Sequence, residues 1–313
     1  MERLTSDESL SAHLRGGVIA LGNFDGFHRG HQAVVARARA KAGAEGRPLI
    51  VATFDPHPVR FFQPDAEPFR LTTLDQRERS FRRAGADAML VFGFDAALAA
   101  VTPQAFVDDW IVARTGAAAV VTGSDFTFGA RRAGTVESLR ELGAVHGLAV
   151  DTVEPVTDGT GAISSSRIRD ALRGGDCDTA TMLLTRPFAV QGMVVRGNQL
   201  GRTIGFPTAN LRMGKYLRPK YGVYACRGRL SGGRVIDGVA NLGVRPIIEP
   251  PEELLEPHFL DFTGDLYDQV IEVELIRWMR GEVKLAGLEE LKEWIERDCH
   301  AARAILAATP HLA

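Results

Sequence analysis

"GNFDGFHRGH", residues 22–31, is the stretch whose reading decides the fold of the first half of the chain. It follows the apolar run "GVIAL" (17–21) and leads into "QAVVARARAKAG" (32–43), which reads as a helix starting near Arg29. A strand, a glycine-rich turn and a helix make the opening of a βαβ unit. In a sheet built from such units, ligands sit beyond the C-terminal ends of the strands. The helix N-terminus there offers backbone N–H groups without intrahelical acceptors and a partial positive charge. Gly22, Gly26 and Gly30 let a polyphosphate come close to the backbone. His28 and His31, one helical turn apart, are placed to donate to phosphate oxygens, with Asn23, Phe24 and Asp25 completing the turn. The same spacing also suits a metal pair with Asp25 nearby, or two structural histidines. Neither G-x-x-x-x-G-K-[ST] nor G-x-G-x-x-G is present.

Outward from this turn, the rhythm of the chain extends the pattern. Strands are expected at 17–21, 49–54, 88–94, 118–122 and 148–153, with helices at 30–42, 74–84, 103–114 and 135–146. Runs such as "LIVATF" and "AAAVVTG" are apolar on both faces, as strands buried in a parallel sheet are. After "LLTRPFAV" the period changes. "FAVQGMVVRG", "GVYACRGRL", "RVIDGVANLG", "PHFLDF" and "VIEVELIRWM" read as strands divided by Gly, Pro and Asp, several alternating apolar with polar. Only "LEELKEWIERDCHAARAILAA" reads as a long helix there. The expectation is a Rossmann-like α/β domain over 1–186 and a small antiparallel β-barrel domain over 187–313, capped by that helix.

Composition fits. The 313 residues, 45% hydrophobic and 24% charged, suit two soluble domains. A net charge of −2 gives no global field toward nucleic acid or anionic membrane. Basic clusters such as "RERSFRR" suit phosphate handling but read more simply as solvated faces. Cys177, Cys226 and Cys299 are scattered and form no C-x-x-C pair, which favours reduced thiols over a zinc site or disulfides. No apolar run approaches the roughly 20 residues of a membrane span, and "MERLTSDESL" is unlike a secretory signal. A cytoplasmic protein without nucleic-acid or membrane partners is expected, with no sequence signal for its oligomeric state.

Two more stretches carry chemistry. In "ISSSRIRDAL" (163–172), Ser164, Ser165 and Ser166 precede a helix and Arg169 follows; hydroxyls there either cap the helix or bind an anion. In "GNQLGRTIGFPTANL" (197–211), Gly201 and Gly205 permit a loop to fold over phosphates, and Pro207 fixes the backbone. Thr208 and Asn210, two apart on extended chain, point to one side. Their oxygens are hard ligands suited to Mg²⁺ bound with a nucleotide, though a plain turn with an asparagine reads equally well.

"GNFDGFHRGH" with the later "ISSSRIR" resembles the nucleotidyltransferases that share their fold with class I aminoacyl-tRNA synthetases. "TFDPHP" (53–58) and "GSDFTFGARRAG" (123–134) narrow this to the adenylyltransferase half of the prokaryotic bifunctional riboflavin kinase/FAD synthetase family. "GRTIGFPTAN" resembles the riboflavin kinase signature, followed in order by "YGVYAC", "NLGVRP", "LLEPHFLDF", "GDLY" and "EELKEWIERD", so the likeness runs from about 16 to 305.

The resemblance implies two ATP-dependent steps, riboflavin to FMN and FMN to FAD, with riboflavin, FMN, ATP and Mg²⁺ as ligands. It implies Glu256 as the base of the kinase, with Gly201, Arg202, Gly205, Pro207, Thr208 and Asn210 around its ATP and metal. His28 and His31 become phosphate donors, Ser164, Ser165, Ser166 and Arg169 hold the far end of the triphosphate, and Asn23, Phe62, Asp125 and Phe128 surround the flavin, the two rings sandwiching it. The chain departs from the pattern in places. Ser166 stands for the more frequent Thr, Ile247 for a common Thr, and Thr185 and Asp268 for usual glycines. Pro257 follows the candidate base and, lacking an N–H, is expected at a sheet edge or bulge. A single-activity adenylyltransferase and a flavin-storage protein are the competing readings.

Overall fold

The computed structural model describes residues 1–197, 201, 204–245, 252–283 and 287–311, with the side chains of Arg245 and Glu252 outside the description. Arg202 and Ile247 lie outside the described residues. Two compact units emerge: Met1–Ala66 with Leu74–Ser164, and Glu67–Thr73 with Ser165–Ala313.

The first unit is built on β1 (Glu2–Thr5), β2 (Val18–Leu21), β3 (Leu49–Asp55), β4 (Ala88–Gly93), β5 (Ala119–Gly123) and β6 (Ala149–Val153). All pair in parallel, in the order β1-β4-β3-β2-β5-β6. β2 and the first six residues of β3 are buried along their length, the expected result of packing on both faces. The helices are α1 (Arg29–Glu45), α2 (Pro58–Phe62), α3 (Leu74–Arg83), α4 (Ala96–Ala99), α5 (Pro103–Ala105, continuing as π-helix over Phe106–Ala113) and α6 (Val136–Ala144). One cluster, with Val34, Val35 and Phe81, packs on one sheet face, and another, with Phe92, Phe106 and Leu139, on the other. The chain leaves β2 toward β3 and β4, then returns to β5 on the other side of β2. That reversal is a topological switch point, and "GNFDGFHRGH" and "GSDFTFG" follow the two strands that flank it.

The second unit begins with α7 (Ser165–Gly174) and α8 (Cys177–Leu184). Its strands are β7 (Phe188–Val195), β8 (Asn210–Arg212), β9 (Gly222–Arg229), β10 (Val235–Arg245), β11 (Glu252–Phe259) and β12 (Val270–Arg280). They close into an antiparallel barrel in the order β10-β11-β8-β7-β12-β9. The final helix, α9 (Leu288–Ala308), packs Ala302 and Leu306 on Val223, Ala225, Val239 and Ile276. The buried guanidinium of Arg227 donates to the carbonyls of Leu306 (2.9 Å) and Thr309 (2.6 Å), satisfying the helix end. The strap Glu67–Thr73 belongs to this unit too. Arg70 N donates to the Lys215 carbonyl and Leu217 N to that of Arg70, and the Thr73 hydroxyl reaches Gln191.

Candidate active sites

At the end of β2 the backbone turns sharply. Phe24 (φ 50°) and Phe27 (φ 44°) take the left-handed conformation that costs most residues about 1–3 kcal/mol, and Gly26 (φ 88°) takes it at little cost. The two Phe rings offset the strain by burial against Phe81, at centroid distances of 5.7 and 5.1 Å. Phe24 thus contributes backbone, not its ring, to any ligand site.

His28 is the N-cap of α1: its Nδ1 accepts from the His31 N–H at 3.3 Å. An accepting Nδ1 in a neutral ring places the proton on Nε2, the tautomer that can donate to a phosphate. The His28 and His31 rings stack with centroids 3.6 Å apart. Gly30 has an internal reason to lack a side chain. A Cβ there would sit 3.1 Å from the His28 ring and 3.4 Å from the Ile163 carbonyl. At Gly22 a Cβ would press on the Phe24 ring at 3.1 Å. Asp25 is buried within the turn.

Arg77 is a residue to which the sequence reading assigned no part. "RERSFRR" reads as a solvated face, yet Arg77 is 3% exposed. Its guanidinium donates to the Thr53 hydroxyl (2.8 Å) and the Asn23 carbonyl (3.2 Å), with the Asp55 carboxylate 3.6 Å away. The Asn23 side-chain Oδ1 is buried and has no hydrogen-bond partner among the described residues.

The two rings expected around the flavin differ in exposure. Phe62 is 62% exposed and touches Phe61 and Phe94, so it is available. Phe128 is 5% exposed, packed on Phe106 and stacked on Phe126. The Gly134 backbone closes on it so tightly that a Cβ there would lie 2.8 Å from the ring. Phe128 is therefore a core side chain, because the turn after β5 folds back antiparallel at Phe128 and Gly134. Asp125 is exposed in that turn.

Ser164 closes the first unit; Ser165, Ser166 and Arg169 begin α7 in the second. Arg169 Nε donates to the Phe69 carbonyl at 2.9 Å, and its guanidinium lies 5.2 Å from the Phe69 ring centroid.

In the barrel, register assembles a second site. Asn241 lies directly opposite Glu256. Leu254 faces Arg212 and Leu255 faces Leu211, and Ala209 N donates to the Pro257 carbonyl, which continues the alignment to Asn210 opposite Glu256. Directly opposed residues share a face, so Asn241, Glu256 and Asn210 form one lateral row. The alternate row, Leu242, Leu255, Leu211 and Val194, is buried on the other face. Asn241 Nδ2 also donates to Glu282 Oε1 at 3.3 Å. Asn241 and Glu282 carried no assigned part in the sequence reading, because alternation within one strand says nothing about which strand it meets.

Among the neighbouring acids, Glu253 is already committed. Arg218 Nε donates to it at 2.5 Å and Tyr221 adds a hydroxyl, and the arginine bond holds its carboxyl below the usual glutamate range. The loop before β8 turns back at Gly201, where Phe206 N donates to the Gly201 carbonyl at 2.7 Å. A Cβ on Gly201 would come within 2.3 Å of the Phe206 carbonyl oxygen. Gly205 is left-handed (φ 88°), the Pro207 carbonyl accepts from His258 Nδ1 at 2.9 Å, and Thr208 is half-buried. Asn210 is 5% exposed, its amide packed over Gly197.

Pro257 sits at neither a bulge nor the edge of a sheet. Its register with Ala240 is unbroken, and β11 lies between β10 and β8 in the closed barrel. A strand residue's N and C=O point to the same side, and the Pro257 carbonyl meets Ala209, just ahead of β8. The missing N–H thus faces Ala209, just beyond the end of a three-residue strand, so only the reciprocal bond of that terminal pair is forgone. The two positions with unexpected non-glycines, Thr185 (φ 64°) and Asp268 (φ 61°), both adopt left-handed backbone.

Comparison with known proteins matches both halves of the chain. The FAD synthetase family profile matches residues 10–167, and the riboflavin kinase profile matches 184–306. The bifunctional riboflavin kinase/FMN adenylyltransferase of Escherichia coli K12 is 38% identical over 294 residues, covering 94% of each chain. That of Pseudomonas fluorescens is 38% identical over 312 residues (99% and 100%), and that of Bacillus subtilis 37% over 287 (90% of each). A solved Streptococcus pneumoniae structure described as a macrolide-efflux protein superposes with a TM-score of 0.85 at 30% identity, covering 97% of this chain and 99% of that one. No helix among the described residues of this chain is long and apolar enough to cross a membrane. With both signature loops built on their own units, and relatives that match from end to end, the chain belongs to the bifunctional riboflavin kinase/FMN adenylyltransferase family.

Proposed function

We propose that this chain phosphorylates riboflavin to FMN with ATP in its barrel and transfers the adenylyl group of a second ATP to FMN on its parallel sheet. The functional division runs 1–186 for adenylyl transfer and 187–313 for the kinase. The observation that carries the reading is that two unrelated phosphate-handling loops stand on two separate compact units, each backed by side chains suited to its own reaction.

In the kinase, the 5′-hydroxyl of riboflavin attacks the γ-phosphorus, the bond to the β-phosphate oxygen breaks, and ADP leaves. The attacking hydroxyl must lose its proton, and Glu256 is the base that accepts it. Its place beside Asn241 and Asn210, with Glu253 occupied by Arg218, favours it over its neighbour. Thr208 and Asn210 would hold Mg²⁺, which when bound neutralises charge on the transferring phosphates. The donor set fits: a hydroxyl and an amide oxygen serve an ion that takes its remaining ligands from water and nucleotide. Gly201 and Gly205 shape the loop over the ATP phosphates.

In the adenylyl step, a phosphate oxygen of FMN attacks the α-phosphorus and pyrophosphate departs. A phosphomonoester, with a second pKa of about 6, is already largely ionised, so no base is needed. Catalysis comes from in-line positioning and from donors to the developing charge. The N–H groups at the start of α1, His28 Nε2 and His31 supply those donors. Ser164, Ser165, Ser166 and Arg169 bind the outer phosphates, while Asn23, Phe62 and Asp125 contact the flavin.

Chromatography of the products tests the whole. Riboflavin with Mg-ATP is expected to give FMN and then FAD, and supplied FMN to give FAD and pyrophosphate. FAD from FMN without any FMN from riboflavin would reduce the protein to a single activity. Flavin binding without either product would mark a storage protein.

A further inference from the structure

Burying an arginine is expensive unless its charge and hydrogen bonds are satisfied. Arg77 on α3 is buried beneath the first turn, and four of its contacts meet at the ends of β2 and β3, beside the proposed adenylyl site. It donates to the Asn23 carbonyl, to the Thr53 hydroxyl and, at 3.4 Å, to the Phe54 carbonyl, and it faces Asp55. Thr53 in turn donates to the same Asn23 carbonyl at 2.8 Å. Two donors thus hold one peptide oxygen, that of the Asn23–Phe24 bond. The next residue, Phe24, is the first of the left-handed residues that swing the chain up to the His28 cap. A peptide clamped this way has one orientation, and His28 and the N-terminus of α1 follow from it.

We infer that Arg77 is a positioning residue for adenylyl transfer: by locking the Asn23–Phe24 peptide through its own guanidinium and Thr53, it aims His28 and the α1 N-terminus at the reacting α-phosphate. This rests on the reading of the first unit as the adenylyltransferase. It touches no substrate and acts through the turn. The three hydrogen bonds leave one nitrogen, Nη1, while Nη2 lies 3.6 Å from Asp55, so a lysine ammonium could take over the bonds to the turn but not the second charged contact as well.

The test compares Arg77→Met, Arg77→Lys and Thr53→Val in the full chain, measuring kcat and KM for FMN-to-FAD and riboflavin-to-FMN conversion. A displacement of order 1 Å at a reacting group costs about 100-fold in rate. Arg77→Met is therefore expected to lower kcat for FAD formation by about that factor, with KM for ATP changed less than about threefold and riboflavin phosphorylation unchanged. Arg77→Lys should recover part of the loss. Thr53→Val, which keeps the arginine and removes one of the two donors, should show the same selective fall at smaller size, and it carries the test if Arg77→Met does not fold. FAD formation within twofold of wild type in folded Arg77→Met or in Thr53→Val overturns the inference. So does an equal fall in both activities, which is the mark of a merely structural residue. Failure of the underlying reading looks different: the unmutated protein would make no FAD from FMN.

Discussion

Replacing Thr185 by glycine should stabilise the protein, and the size of the gain follows from one backbone angle. Thr185 ends α8 at φ 64° and ψ 13°, in left-handed conformation, with its side chain exposed. That conformation costs a non-glycine residue about 1–2 kcal/mol, and a β-branched one is an outlier there. Glycine removes this cost but brings about 0.5–1 kcal/mol of extra chain entropy to lose on folding. The difference leaves a net gain of about 0.5–1 kcal/mol. For a unit of this size that amounts to a rise in melting temperature of roughly 1–4 °C. Differential scanning calorimetry at fixed protein concentration, without nucleotide or flavin, reads it directly. Thr185→Ala is the control, since it keeps the Cβ that clashes and should gain nothing from relief of the backbone. Asp268→Gly should gain less, because aspartate tolerates the left-handed region better than threonine does. A Thr185→Gly protein that melts at or below wild type, or a Thr185→Ala protein that gains as much, would refute the reasoning.

The remaining outcomes separate the two activities. Glu256→Gln keeps the shape of the row with Asn241 and Asn210 but cannot accept a proton, so FMN formation should fall about 100- to 10,000-fold while FAD formation from supplied FMN is unchanged. His28→Ala removes both the cap of α1 and its Nε2 donor. Riboflavin phosphorylation should persist while FAD formation drops at least about 100-fold, and the capped helix should lose about 1 kcal/mol of stability. Gly201→Ala forces a Cβ against the Phe206 carbonyl oxygen and should disable the kinase alone, seen as FMN yield from riboflavin with normal FAD yield from FMN.

Much of the molecule was legible in the chain. Strands buried on both faces of the parallel sheet are apolar throughout, and the helices between them keep their period, so the expected 49–54 and 74–84 match β3 and α3 to within a residue. The loops that carry chemistry were legible because each packs its glycines, histidines or hard oxygens into adjacent residues. β1 was missed because "ERLT" is polar and half exposed, and its strand partner, β4, is more than 80 residues away.

What local sequence determined, then, was the type of the main elements and the order of the two halves. Pairing in space decided the rest. It put Arg77, from a run of charges that looks solvated, under the Asn23 carbonyl, and it buried Phe128 against Phe106 and Phe126. It recruited the strap Glu67–Thr73 to the second unit and set Asn241 and Asn210 on either side of Glu256. The physical reason is common to all four. A residue's own neighbours fix its backbone preference, whereas its burial and its partners depend on which distant segment arrives opposite it.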